Sequence, residues 1–96
     1  MWKSLKLEDG RQILLLNYPA KDEERSPDEV NRNLFCVDAK ERVHWQVHAP
    51  SPFQPSGDPF VNIETDGPKL TATRFFGDVC DVDTSNGNAV IVGWTK

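Results

Sequence analysis

The chain contains no apolar run approaching the ~20 residues that a membrane-spanning helix needs, which argues against a bilayer span. It has only two cysteines, Cys36 and Cys80, in no C-x-x-C pair and at no metal-ligand spacing. That excludes the common zinc frameworks and leaves two reduced, partly buried thiols as the expectation. Positive charge is scarce: eleven Lys and Arg stand against fifteen Asp and Glu, a formal net charge of −4. A backbone-driven nucleic-acid binder would need a basic face, and docking on anionic lipid would need the same. Histidine is scarcer still. His44 and His48 are both on one expected strand, so no Ser or Cys has a histidine base arriving from a separate element. The glycines are isolated, with no phosphate-cradling loop. Met1-Trp2-Lys3-Ser4-Leu5-Lys6-Leu7 has neither a long apolar stretch nor a small-residue cleavage site; a native start and a cytoplasmic location are expected.

What is present is β-branched and aromatic residues in short runs, separated by Asp-Gly, Asn-Gly and Pro clusters, the pattern of antiparallel strands. Ninety-six residues suit a single domain, 1–96. A first hairpin is expected from Trp2–Leu7 through Glu8-Asp9-Gly10 and back along Gln12–Tyr18. Leu14, Leu15 and Leu16 are consecutive, which implies cover on both faces. Pro19–Asn33 is charged and expected to bury nothing. Within it Ser26-Pro27-Asp28-Glu29 matches a capping box, so one or two helical turns are expected.

Leu34–Asp38 and Arg42–Ala49 read as strands three and four. In the latter Val43, Trp45 and Val47 alternate with His44, Gln46 and His48, one face for the core and one for water. The Pro-rich stretch 50–59 then connects two halves, about 1–49 and 57–96. The second half holds strands at Phe60–Glu64, Leu70–Phe76, Val79–Asp83 and Ala89–Trp94. Its turns are Asp66-Gly67-Pro68 and Ser85-Asn86-Gly87-Asn88. The fold class expected is therefore all-β, with about eight antiparallel strands in two similar four-stranded halves.

The halves look alike. Leu34-Phe35-Cys36-Val37-Asp38-Ala39 aligns with Val79-Cys80-Asp81-Val82-Asp83-Thr84, and each half ends in an apolar strand carrying a Trp, Trp45 or Trp94. A period of about 45 residues with four strands per unit is a propeller-blade period. The segment from Asn33 to Val47 resembles the outer strands of a PQQ-type β-propeller blade. That repeat has an apolar strand ending in Asp, a short turn with Gly, and an apolar strand with Trp. Val82-Asp83-Thr84-Ser85-Asn86-Gly87-Asn88-Ala89-Val90 is similar and keeps the turn Gly, whereas the first copy has Glu41 there. The whole also resembles small uncharacterised bacterial proteins of two such units. The resemblance implies an architecture and carries over no cofactor site. Two blades cannot close a ring, so the units either pack as a sandwich or barrel, or complete a ring by oligomerisation.

Few residues converge on chemistry. His44 and His48 on one strand stand roughly 13 Å apart, too far to share a zinc ion. With Gln46 they form a polar row, and Arg42 and Arg74 join them as candidate binding-surface residues. Asp81, Asp83 and Asn86 belong to the densest oxygen cluster and are the candidate metal ligands. Gly87 and Val92 break the calcium-loop pattern, and turn capping explains these side chains as well. Pro52-Phe53-Gln54-Pro55 reads as a rigid spacer before a proline-recognition motif. No catalytic set and no cofactor emerge. The leading expectation is a non-catalytic module that binds a protein partner or itself. The alternative is a small-ligand binder, less readily a hydrolase, with a pocket between the sheets or in an oligomer's channel.

Overall fold

The computed structural model describes residues 3–16, 27–50 and 57–94. Eight strands form two four-stranded antiparallel sheets. The first runs β1 (Lys3–Lys6), β2 (Gln12–Leu15), β3 (Leu34–Val37), β4 (Val43–Gln46). The second runs β5 (Phe60–Asp66), β6 (Lys69–Arg74), β7 (Asp78–Val82), β8 (Ala89–Trp94). In each sheet the spatial order follows the chain, because every connection within a half except β2–β3 is a short turn. Gly10, Gly67 and Gly87 adopt positive φ in three of those turns, as expected of Asp-Gly and Asn-Gly. One short helix, α1 (Pro27–Asn31), lies in the β2–β3 connection. Ser26 and Tyr18, Trp2 and the Pro52–Pro55 motif fall outside the described residues.

The two sheets pack through their inner faces on one core. Ile13, Leu15, Leu34, Cys36, Trp45 and Val47 come from the first sheet and its margin. Phe60, Ile63, Leu70, Ala72, Cys80 and Val82 come from the second. This is the sandwich arrangement, and it needs no second chain to cover either inner face. Alternation puts Ile13 and Leu15 inward while Leu14 and Leu16 face out. Hence the leucine run is fully buried only at Leu15, and Leu14 and Leu16 are half-buried on the outer face.

The β2–β3 connection departs from expectation. Val30 is fully buried, and Asn31 and Asn33 are buried with it. The Asn33 side-chain amide donates to Leu16 O at 2.7 Å and to Phe60 O at 2.8 Å, while its Oδ1 accepts from Phe60 N–H at 2.9 Å. Asn31 Oδ1 accepts from Asp58 N–H. Two uncharged amides therefore fasten the end of this connection to the start of the second half, supplying bonds that the ladder cannot. A charge-rich stretch hid them.

Strand β4 also departs. Trp45 pairs with Cys36 but Val43 pairs with Val37, leaving His44 as an extra residue in a bulge. The bulge shifts the alternation, so Val43 is 60% exposed on the outer face instead of reaching the core. Trp45 keeps its inward place. Its ring lies over Gly87, where an added Cβ would stand 2.6 Å from a ring carbon, and its Nε1 donates to Thr84 O at 2.9 Å. The second-half turn thus needs its glycine twice over, for φ of 81° and for space. The corresponding first-half turn has Glu41 at φ 62°, which strains a side-chain-bearing residue.

Opposite outcomes are expected for these two turns. Gly87→Ala should lower unfolding stability by at least ~2 kcal/mol, from left-handed strain and the collision with Trp45. Glu41→Gly should raise it by about 0.5–1 kcal/mol. Urea unfolding followed by tryptophan fluorescence reads both; a stabilised Gly87→Ala would contradict the packing of Trp45 described above.

Candidate functional site

Strand β8 closes the second sheet, with β7 on one side and, among the described residues, no strand along the other except at its very start. There His48 N–H donates to Gly87 O at 2.8 Å and Ala89 N–H donates to His48 O at 3.2 Å, an isolated parallel bridge from the tail of β4. Asn88 O faces β7, accepting from Asp83 N–H at 2.8 Å. Strict alternation from there, with Asp81 opposite Val90 and Cys80 opposite Ile91, turns the N–H and C=O of Ile91 away from β7, onto the free edge.

The side chains on this edge are apolar and wet. Val90 is 62%, Ile91 46%, Val92 56% and Trp94 61% exposed. A register shift between Val79 and Cys80 leaves Val92 as the bulged residue, with Val79 opposite Gly93. Trp94 Nε1 donates to Phe76 O at 3.3 Å, and Phe76 stacks edge-on with Phe75 at 4.9 Å. Phe75 is itself 57% exposed, so the apolar edge runs on into an aromatic corner. From Ala89 to Trp94 there is no charged side chain and no proline; of the devices that blunt an edge, the strand carries only the bulge at Val92.

The residues singled out from sequence are scattered. Arg74 is a correction: it is not on the surface but 1% exposed. Its Nε donates to Asp58 O at 3.1 Å and lies 3.2 Å from Asp58 Oδ2, with Asp78 Oδ2 3.7 Å from its Nη1. Its guanidinium carbon sits 6.0 Å from the centre of the Phe60 ring. Two carboxylates balance a cation that the fold has taken out of water, and Asp58 Oδ1 also accepts from Phe76 N–H at 3.0 Å. Arg42 is exposed, and its Nε donates to Asp38 Oδ2 at 2.8 Å. The polar row is also corrected. His44 sits in the bulge with Nε2 3.4 Å from Asp38 Oδ2, Gln46 Nε2 donates to Arg32 O at 2.8 Å, and His48 bridges to Asn88. The bulge breaks their common alternation.

Among the oxygen cluster, Asp81 lies 3.6 Å from Lys69 Nζ. Asp83 Oδ1 accepts from Ser85 N–H at 2.9 Å and Ser85 Oγ at 2.6 Å, and Asn86 Oδ1 accepts from Asn88 N–H at 2.9 Å. Asp83 is thereby held below the usual carboxylate range, first by the Ser85 hydroxyl. Among the described residues no group of three or more His, Cys, Asp or Glu is placed to hold a metal ion. Burial pushes both thiols up, Cys80 to about 11, which removes thiolate reactivity at neutral pH. A shallow depression of about 440 Å³ on the outer face of the first sheet is lined by Leu14, Leu16, Phe35, Val37 and Val43, with Gln12 and Glu41 at its rim. It brings together no convergent cations or histidines. Among the described residues no helix is long and apolar enough to cross a membrane.

Sequence reasoning passed over Val90, Ile91 and Val92 because a continuous apolar run reads as a strand buried on both faces. The signal that could have found them is positional: the last strand of a meander has a neighbour on one side only.

Two outcomes test these electrostatic assignments. Asp58→Ala should cost about 3–5 kcal/mol in urea unfolding, because Arg74 is left buried with a weakened counter-charge; a loss under ~1 kcal/mol would contradict the pairing. Asp38 is held down at about 2 from 3.8, first by the Arg42 backbone N–H and then by Lys40 N–H and the Arg42 side chain. A depressed carboxyl stabilises the fold when ionised, so its contribution is present above about 3.8 and is lost as pH falls through about 2. In Asp38→Asn the stability gap to the parent should therefore narrow across that window, measured as the urea midpoint against pH.

A family model described as a domain of unknown function (DUF7957) matches residues 3–93. No curated protein and no solved structure matches the sequence.

Proposed function

For a chain that belongs to the DUF7957 family, we propose the role of a non-catalytic protein-interaction module whose contact element is the free edge of β8. The observation that carries this reading is the combination on one strand of outward backbone groups and four exposed apolar side chains. An unpaired N–H and C=O row accepts another strand, and exposed apolar side chains gain from being covered when it arrives. The aromatic corner of Trp94 and Phe75 extends the same surface, and exposed tryptophan is a frequent anchor in protein contacts.

A cytoplasmic location belongs to the same reading, supported by two buried thiols that stay unpaired. So does the blade-like character of each half. What supports it is the shared hairpin logic. Asp38 Oδ1 accepts from Lys40 N–H and Asp83 Oδ1 from Ser85 N–H, each two residues on, and each turn ends on a left-handed residue. This reading puts the contact on the edge and not between the sheets, where core side chains pack and Arg74 Nε lies 3.2 Å from Asp58 Oδ2.

The test is capture of binding partners by the immobilised chain and by Val92→Lys, which places a charge at the middle of the free edge without touching the core. Proteins retained by the parent should be lost, or weakened at least ~10-fold, with the variant. An identical set bound at equal strength would sink the edge as the contact element.

A further inference from the structure

We infer that the free edge of β8 pairs antiparallel with β8 of a second copy of this chain, joining two second sheets into one continuous eight-stranded sheet about a two-fold axis. This rests on the reading of β8 as a contact edge and names its occupant. Four features of the edge point to a second copy over an unlike strand.

The first is obstruction. The tail of β4 occupies the start of the edge through the His48 bridge to Asn88, so the open stretch is Val90–Trp94. A long strand from another protein would run into His48. In an antiparallel pair of copies the same described stretch, Val90–Trp94, stands on both sides of the seam. The second is charge. The chain carries −4 overall, and an unlike partner for an acidic domain would ordinarily be steered by opposite charge. Ala89–Trp94 has no charged residue to steer or to repel, and its neighbour Asp81 already faces Lys69.

The third is side-chain cover. Val90, opposite Asp81, and Ile91, opposite Cys80, leave the strand on opposite faces of the sheet, so a second β8 alongside would cover the flanks of both and of Val92 and Trp94, all 46–62% exposed. A strand of the same kind supplies apolar neighbours on both faces, which a strand with one polar face does not. The fourth is closure. A two-fold pair uses the same patch on both chains and leaves neither β8 edge open, whereas copies pairing head to tail through different edges would propagate.

The experiment is sedimentation equilibrium of the full chain from about 1 μM to about 1 mM, alongside Val92→Lys, with amide exchange followed at Ile91. The expected mass is twice the 10.9 kDa of the chain, with dissociation at least ~100-fold easier in Val92→Lys. Exchange at Ile91 should slow at least ~10-fold with rising concentration in the parent, since its outward N–H gains a partner only in the pair. That measurement does not depend on the variant folding. A monomer throughout, with Ile91 exchanging equally fast at both ends of the range, overturns the proposal, as does a trimer or tetramer. A dimer that survives Val92→Lys overturns β8 as its seam. If the chain is monomeric yet Val92→Lys still abolishes capture of a partner, the self-pairing fails while the contact-edge reading stands; if capture is also unaffected, both fail.

Discussion

The structure depends on a small buried polar seam at the joint between its halves. Asn33 spans from Leu16 O on one sheet to Phe60 on the other, Asn31 holds Asp58, and Asp58 in turn holds Arg74 and the Phe76 backbone. Each group is out of water, so each is costly unless its partners stay in place. Because those partners come from both halves, the seam fixes how one sheet lies on the other. The apolar core is non-directional and would tolerate small slides; hydrogen bonds at fixed distances do not.

From this seam the other features follow. With the inner faces set against each other, Trp45 reaches across the margin to Gly87 and Thr84, and the tail of β4 reaches the start of β8. That reach consumes the first residue of the β8 edge and leaves the rest uncovered. The open stretch is thus a product of how the sheets join.

Much of the fold was legible in the residues. Asp9-Gly10, Asp66-Gly67 and Asn86-Gly87 marked the turns, the β-branched runs between them marked strands, and all eight strands fall where the pattern put them, within a few residues at each end. Two things were not legible. A bulge such as that at His44 carries no composition signal, yet it reverses which face every residue before it in β4 presents; the expected polar row and the core place of Val43 fell together. The same slip affects the repeat. Asp38 and Asp83 match as turn residues, but Cys36 and Cys80 match as inward residues, so no single alignment serves both. The second illegible feature was burial of polar groups. Arg74 and Asn33 are residue types that are mostly exposed, and only the meeting of distant segments explains their places. Of the candidate site, the acidic and histidine residues were named and proved dispersed, while the β8 edge went unremarked because local pattern does not say which strand comes last in space.

One shared core also has a temporal side. The inward face of Ile13, Leu15, Leu34, Cys36 and Trp45 finds its cover in Phe60, Ile63, Leu70 and Val82, which a ribosome delivers later. Until roughly the last strands have emerged, the first half is a nascent sheet with one greasy side, and contacts of such long sequence separation form slowly. A product truncated before the second half is therefore not half a protein but a sheet with an uncovered apolar face, the kind of surface that chaperones and proteases act on.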